Sequence, residues 1–183
     1  MKPRLRSLCL GLLLAVCSLV PAVAAERLVL TDHEGAVRAW SEIAGQANLV
    51  YFGFTHCPDI CPTALADISD ALDLLGLDGE GLRPVFVTLD PARDTSDALA
   101  AYVAHFHPRL LGLTGTPETI AALAARYRIA FEKRPLEGGD DYLIDHSSKI
   151  MLIGPDGALR ASFLHGIRPE QLARELRRWI VVP

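Results

Sequence analysis

The sequence has few clusters of basic residues, and this limits the classes of partner that the protein can bind. It has 22 acidic and 18 basic residues, and three of the basic ones, Lys2, Arg4 and Arg6, lie in the first 25 residues, which leaves a formal charge of −7 on the rest of the chain. The arginine cluster at residues 174–178 is predicted to be a solvated helix face. Binding to a phosphate backbone needs a basic patch, so no nucleic-acid partner is expected.

Cysteine is also scarce. Of the four cysteines, Cys9 and Cys17 fall in an N-terminal apolar segment, so only Cys57 and Cys61 remain for the folded protein. Its thiol chemistry therefore depends on one pair. The sequence also lacks internal repeats, low-complexity segments and interdomain linkers, and its composition is otherwise that of an ordinary globular protein, so one domain is expected over residues 26–183.

Residues 1–25 have the pattern of a secretory signal peptide. A basic start is followed by an uncharged apolar run over residues 8–20 and by small residues up to position 25. A membrane-spanning helix needs about 20 apolar residues, and Pro21 interrupts this run early, so cleavage is the expectation and an uncleaved anchor is the alternative. The predicted location is the periplasm, either in solution or tethered to the outer face of the inner membrane.

From residue 48 onward, short apolar runs alternate with amphipathic stretches, a pattern typical of an α/β layer structure. A buried strand over residues 49–54 is predicted to lead into the cysteine pair, and apolar spacing predicts a helix over residues 63–75. The other predicted strands cover residues 83–89, 110–113, 142–144, 149–153 and 159–164, and the other predicted helices cover residues 97–106, 117–127 and 168–180. The last three strands, with a turn at residues 155–157, resemble a hairpin.

Cys57 and Cys61 lie where a predicted strand meets a helix. Backbone N–H groups and the helix dipole favour negative charge there, so thiolates should form more readily than from an ordinary thiol of pKa about 8.5. Three residues separate the two cysteines, whereas oxidoreductases of the thioredoxin type have two. Positions four apart share one helix face, so both sulfurs can converge on a metal ion, and a disulfide between them remains an alternative.

His146 is the third candidate ligand. It stands between Asp145 and Ser147 in a polar segment flanked by predicted strands, an unusual position for a packed core residue. Two thiolates and one imidazole form a soft three-coordinate set that suits Cu(I), whereas a closed structural zinc site needs a fourth ligand. Asp90, at the end of a neighbouring strand, is a candidate for an outer contact, one made with the ligand residues rather than with the metal ion itself.

Three segments together resemble the Sco/SenC family of copper proteins. They are GFTHCPDICP at residues 53–62, VTLDPARDT at residues 87–95, and DHSS at residues 145–148 followed by GPDG at residues 154–157. They occur in the family's order. The resemblance implies a thioredoxin-like α/β fold, with a central mixed sheet flanked by helices and a hairpin in the C-terminal half that carries the histidine loop.

The resemblance also implies the ligands and the function. Cys57, Cys61 and His146 are implied to hold Cu(I), with Cu(II) as a further option. The implied function is that of a metallochaperone without turnover chemistry, which delivers copper to the CuA site of cytochrome c oxidase and supports oxidase assembly. Its implied partner is the CuA-bearing subunit or another copper chaperone, and the protein is expected to be a monomer.

Two alternative functions use the same residues. The first is a thiol:disulfide oxidoreductase that reduces target cysteines by forming a Cys57–Cys61 disulfide. The second is a copper or redox sensor, which needs the same three ligands as a donor. A thiol peroxidase is disfavoured because Phe54 occupies the position three before Cys57, where a hydroxyl residue usually activates the peroxidatic cysteine.

Overall fold

The computed structural model of the protein describes residues 28–139 and 141–180. The predicted signal peptide, residues 1–25, lies outside these ranges. Among the described helices, none combines the length and the apolar character that crossing a bilayer requires.

The described residues form nine strands and five α-helices. The strands are β1 (Val29–Asp32), β2 (Val37–Ala39), β3 (Ala47–Gly53), β4 (Leu82–Thr88), β5 (Leu111–Thr114), β6 (Phe131–Pro135), β7 (Tyr142–His146), β8 (Lys149–Ile153) and β9 (Leu159–Leu164). The helices are α1 (Trp40–Ile43), α2 (Ile60–Leu75), α3 (Ser96–Val103), α4 (Pro117–Arg126) and α5 (Pro169–Ile180).

Seven of these strands form one mixed sheet in the order β2-β1-β5-β4-β3-β8-β9. The central strands β3, β4 and β5 are parallel, and the outer pairings are antiparallel. Strands β3 and β4 are buried along nearly their whole length, as expected for parallel strands covered on both faces. The predicted α/β arrangement, a mixed sheet with flanking helices, is confirmed.

Helix α2 begins three residues earlier than its apolar spacing predicts. It starts at Ile60 rather than Thr63, and Pro62 lies in its first turn, where a missing N–H costs no hydrogen bond. Its apolar face, which includes Leu65, Ile68 and Leu72, is buried, and the helix packs against α5. The earlier start places Cys61 inside the helix.

The region around His146 differs in detail from the predicted hairpin. The turn at residues 155–157 does join two antiparallel strands, β8 and β9, but His146 is the last residue of β7, which pairs with β6 in a separate two-stranded sheet. Strand β6 was not predicted, because its central residues Glu132, Lys133 and Arg134 are charged and exposed and show no apolar alternation. We call the β6–β7 pair, residues 131–146, the ribbon.

Candidate metal centre

The two cysteines lie at the carboxyl end of β3, close to the middle of the main sheet. Cys61 is the second residue of α2 and is fully buried, whereas Cys57 is in the preceding loop and is partly exposed. Both are free thiols. The strand-to-helix junction predicted from the sequence is therefore present, with one sulfur inside the protein and the other at its surface.

The two thiols lie next to each other, and their pKa values are shifted in opposite directions. The Cys61 N–H donates to Cys57 Sγ at 3.4 Å, as expected for a sulfur facing the first turn of a helix. A hydrogen bond from the Cys61 thiol, helped by this backbone N–H, lowers the pKa of Cys57 to about 5. The same side-chain hydrogen bond, together with burial, raises the pKa of Cys61. At neutral pH the pair therefore holds one thiolate, on Cys57, and one thiol, on Cys61.

Gly53 allows β3 to approach Cys61 closely. A Cβ atom added at this position would lie 2.8 Å from Cys61 Sγ and 2.9 Å from the Phe86 ring. These distances are shorter than van der Waals contact, so any larger residue would have to displace the thiol or the core aromatic ring. Glycine at the end of β3 is therefore part of the site.

His146 lies beside the buried thiol. Its Nε2 atom is 3.6 Å from Cys61 Sγ, and its ring makes edge-type contacts with Tyr51 and Phe54. Its Nδ1 atom is 3.3 Å from the Ser147 carbonyl oxygen, which can only accept, so this contact favours the proton on Nδ1 and leaves the Nε2 lone pair directed at Cys61. Burial lowers the pKa of His146, which favours the neutral imidazole that a metal ion requires.

Two of the predicted ligands, Cys57 and His146, line one open pocket together with Phe54 and Ile144, and the buried Cys61 lies beside both. Among the residues described, no three side chains of His, Cys, Asp or Glu converge tightly enough to form a complete metal site. The arrangement is therefore that of neighbouring donors.

Asp94 is a site residue that sequence reasoning missed. Its fully buried carboxylate accepts hydrogen bonds from the Thr55 backbone N–H at 2.9 Å and from the Thr55 hydroxyl at 2.6 Å. It also accepts a hydrogen bond from the Thr88 hydroxyl. Asp94 therefore fixes the loop before Cys57 to the end of β4. The next residue, Thr95, caps helix α3, because its hydroxyl accepts a hydrogen bond from the Ala98 N–H.

Asp90 is buried but makes its contacts away from the thiols. Its carboxylate accepts hydrogen bonds from Arg93 and from the Tyr142 hydroxyl, and Lys133 lies 3.8 Å away. These partners connect it to the ribbon that carries His146. The outer contact expected of Asp90 is thus directed toward the ribbon rather than toward Cys57 or Cys61.

Met151 and His56 also carry side chains of types that can bind copper. Met151 is fully buried in the core strand β8. His56, which precedes Cys57, has a side chain 52% exposed, with its Nδ1 atom 3.0 Å from the Thr55 hydroxyl and 3.7 Å from Asp94. His56 is therefore largely solvated, and its ring lies near the Thr55 and Asp94 side chains that also hold the loop.

Comparison with known proteins identifies the family. The family model SCO1/SenC matches residues 21–181, nearly all of the chain. The chain belongs to the SCO1/SenC family. The family predicted from the three sequence segments is confirmed.

Individual SCO1/SenC relatives are similar in sequence and in fold. The chain is 45% identical over 152 residues to the mitochondrial SCO2 homolog of Bos taurus, an alignment that covers 81% of this chain and 57% of that protein. The chain therefore matches little more than half the length of this relative.

Two solved structures extend the comparison. Copper-bound ScoI of Bradyrhizobium japonicum is 37% identical, with a TM-score of 0.76, and the match covers 82% of this chain and 96% of that one. Copper-bound ScoI of Arabidopsis thaliana is 35% identical, with a TM-score of 0.75 and coverage of 83% and 94%. The predicted thioredoxin-like fold is thereby confirmed.

Proposed function

We propose that this SCO1/SenC protein is a periplasmic copper metallochaperone that binds Cu(I) through Cys57, Cys61 and His146. In this proposal it passes the ion to the CuA site of cytochrome c oxidase, or to another copper chaperone, and so supports oxidase assembly. Family membership and the copper-bound structures of two relatives support the cargo. The signal-like pattern of residues 1–25 supports the location.

The observation that carries the proposal is the 3.6 Å distance between Cys61 Sγ and His146 Nε2. For bond lengths of about 2.3 Å to sulfur and about 2.0 Å to nitrogen, as on Zn²⁺, two ligands about 120° apart on one ion lie roughly 3.7 Å from each other. The buried thiol and the imidazole are thus spaced like two ligands of a three-coordinate ion. Their chemistry, one sulfur and one neutral nitrogen, suits a soft metal ion.

The third ligand, Cys57, already carries the negative charge that copper binding requires. Its pKa of about 5 makes it a thiolate at neutral pH, so it can bind Cu(I) without first losing a proton. Cys61 is the ligand that must release its proton on binding, because its pKa is raised in the absence of metal. Closure of Cys57 onto the ion would convert the neighbouring donors into a complete site.

The unequal exposure of the ligands suggests the route of transfer. Cys57 is at the surface, whereas Cys61 is fully buried. A partner thiolate can attack the three-coordinate ion from the Cys57 side and replace the protein's ligands one at a time, so copper is never free in solution.

Anaerobic Cu(I) titration of the reduced protein, in competition with a chromophoric Cu(I) chelator, tests the ligand set. We expect one equivalent to bind, and we expect Cys57→Ser, Cys61→Ser and His146→Ala each to weaken binding by about 10-fold or more. His105→Ala is the matched control, because His105 is exposed on a loop away from the site. Unchanged affinity in His146→Ala would remove the histidine from the site.

Delivery is tested separately. The copper-loaded protein is mixed with the reduced, copper-free soluble CuA domain of an oxidase, and the copper content of both is measured after separation. Movement of copper to the CuA domain supports delivery, whereas retention on this protein in excess recipient would contradict it.

A second candidate function, reduction of a target disulfide, is favoured by the unequal thiols. A low-pKa, partly exposed Cys57 next to a buried Cys61 has the features of an attacking and a resolving thiol. Cys57 thiolate would attack the target disulfide, and Cys61 would then displace the target, so that two target thiols form as the Cys57–Cys61 disulfide forms. Stoichiometric reduction of an oxidised CuA domain by the copper-free protein, abolished in Cys61→Ser, is the expected result.

A further inference from the structure

The ribbon that carries His146 is attached to the rest of the protein through one face of β7 and through Phe131 and Leu143, which also pack against the core. Side chains alternate along a strand, so Tyr142, Ile144 and His146 share a face. Ile144 is 4% exposed and belongs to the core, and His146 lies at the thiols. Within the described ranges, β6 and β7 pair as strands only with each other, and an isolated two-stranded sheet is marginally stable. The contacts of this face therefore decide where the imidazole lies.

Tyr142 makes the first of these contacts, at the start of β7. Its hydroxyl donates to Asp90 Oδ1 at 2.7 Å. Two cationic side chains contact its ring: Arg93 Cζ lies 3.8 Å and Lys133 Nζ 4.3 Å from the ring centroid. The hydroxyl also accepts a hydrogen bond from Lys133 Nζ at 3.1 Å, so two hydrogen bonds and two cation–π contacts hold one side chain.

Arg93 holds the backbone at the same point. Its Nη2 atom donates to the Tyr142 carbonyl oxygen at 3.0 Å, and its Nη1 atom donates to Asp141 Oδ1 at 2.6 Å. Its Nε atom donates to Asp90. One guanidinium group therefore joins Asp90 to both the backbone and the flanking side chain of the ribbon.

Asp90 connects this cluster to the loop of the thiols. It is fully buried, and its N–H donates to the Thr88 hydroxyl oxygen at 2.8 Å. That same hydroxyl donates to Asp94, which holds Thr55 two residues before Cys57. A continuous chain of hydrogen bonds therefore links the start of β7 to the cysteine loop.

We propose that Asp90, Arg93 and Tyr142 form a latch that sets the position of His146 relative to Cys61. These three are positioning residues, since none of them contacts a thiol or the imidazole. Tyr142 is four residues before His146, roughly 13 Å along the strand, and an extended strand transmits a shift at one end to the other. Opening of the latch withdraws the imidazole while the two sulfurs stay in place. This inference rests on the proposed function of His146 as a copper ligand.

Tyr142→Phe is the sharpest test, because it removes only the hydroxyl and keeps the ring under its two cations. We expect Cu(I) affinity to fall roughly threefold to tenfold, the effect of losing the part-buried hydrogen bond to Asp90, since the exposed one from Lys133 contributes little. In a His146→Ala background the same substitution should change the affinity by less than about twofold, because it leaves the hydrogen bonds from the Asp90 N–H toward the cysteine loop intact and acts through the histidine. Arg93→Lys, which keeps the charge but cannot donate to Asp90, Asp141 and the Tyr142 carbonyl oxygen at once, should behave in the same way.

Tyr127→Phe is the matched control. Its hydroxyl accepts a hydrogen bond from Trp40 and donates one to the Gly157 carbonyl oxygen, so the substitution removes buried hydrogen bonds that do not involve the ribbon. A loss of stability alone would lower copper affinity in this variant too. We expect its Cu(I) affinity to equal that of the wild type.

A second measurement uses the copper-free protein. Amide hydrogen exchange should become faster in Tyr142→Phe at β7 and stay unchanged at β3, because the latch holds the ribbon and not the sheet. Equal weakening of copper binding with and without His146, or unchanged exchange at β7, would overturn the latch. If His146→Ala alone leaves copper affinity unchanged, the proposed ligand set is wrong, and the exchange measurement still decides whether the latch exists.

Discussion

The sulfur side and the nitrogen side of the site are built on different kinds of structure. Cys57 and Cys61 follow β3, a buried strand in the middle of a seven-stranded sheet, whereas His146 ends a strand of a two-stranded ribbon. The sulfur side is fixed by the hydrophobic core. The nitrogen side is fixed by one face of β7 and by the latch. Such a division suits the proposed copper donor, because the proposed nitrogen ligand could withdraw without unfolding the two proposed sulfur ligands.

The largest expected difference between the two regions is in local stability. Central strands open only when the whole domain unfolds, whereas a ribbon with a charged, exposed outer strand can open by itself. We expect amides of β3 and β4 to be protected about 1,000-fold or more above those of β6 and β7 in the copper-free protein, measured by native-state hydrogen exchange. Equal protection would mean that the ribbon and the sheet are one cooperative unit, and the comparison would fail.

Asp94→Ala tests the sulfur side. It leaves the Thr55 amide and the hydroxyls of Thr55 and Thr88 without their buried acceptor, so we expect the free energy of unfolding to fall by about 3 kcal/mol, measured by urea denaturation. The control on the ribbon is Asp145→Ala. Asp145 pairs with Arg134 at 3.4 Å, and both side chains are 61% exposed, so its loss should cost less than about 0.5 kcal/mol. Similar losses of unfolding free energy in the two variants would contradict the division between a fixed sulfur side and a less stable nitrogen side.

Gly53→Ala sharpens the comparison at the thiol itself. The added methyl group would clash with Cys61 Sγ and with Phe86, so we expect unfolding free energy to fall by about 1–3 kcal/mol and Cu(I) affinity to fall with it. Gly139, in the turn of the ribbon, is the matched control, because a Cβ atom there meets nothing closer than 3.9 Å. Wild-type copper affinity in Gly53→Ala would show that Cys61 can move freely, contrary to a fixed sulfur side.

The same division separates what sequence could predict from what it could not. Strand β3, helix α2 and the cysteine junction were predictable, because a continuous apolar run followed by helical spacing gives a strong local signal. The polar setting of His146 between two predicted strands made it a candidate ligand, and the family resemblance implied the same role. The approach of Gly53 to Cys61 and the role of Asp94 depend on distances between residues far apart in the chain, which no local pattern contains.

The ribbon was the main feature that sequence reasoning missed. Strand β6 is stabilised by pairing with β7 and by the latch rather than by an apolar face of its own, so its residues resemble a polar loop. Asp90 was expected to support the ligands by an outer contact. Its actual partners, Arg93 and Tyr142, lie 3 and 52 positions away along the chain, and only the folded chain brings Tyr142 to it.

The last expected effect on stability concerns the charge of the thiol pair. In the reduced protein the pKa of Cys57 is about 5, whereas in the unfolded chain it is about 8.5. Between these two pH values the folded state therefore binds fewer protons than the unfolded state. Stability should therefore rise with pH across this window and be lost as pH falls through about 5. Above about pH 8.5 the trend reverses, because the unfolded chain releases the Cys61 proton that the folded protein retains. Urea denaturation at a series of pH values, relative to a variant with both cysteines replaced by alanine, isolates this contribution.

The same thiol pair shows which side of the site controls its acidity. The largest cause of the lowered pKa of Cys57 is its hydrogen bond with Cys61, and the charge interaction with His146 is the smallest of those named. We therefore expect Cys61→Ala to move the Cys57 pKa toward that of an ordinary thiol, and His146→Ala to move it little, as followed by thiolate absorbance. If the two substitutions moved it equally, the ribbon would set the charge of the sulfur side as well. The imidazole could then not withdraw without changing the thiolate that keeps the ion bound.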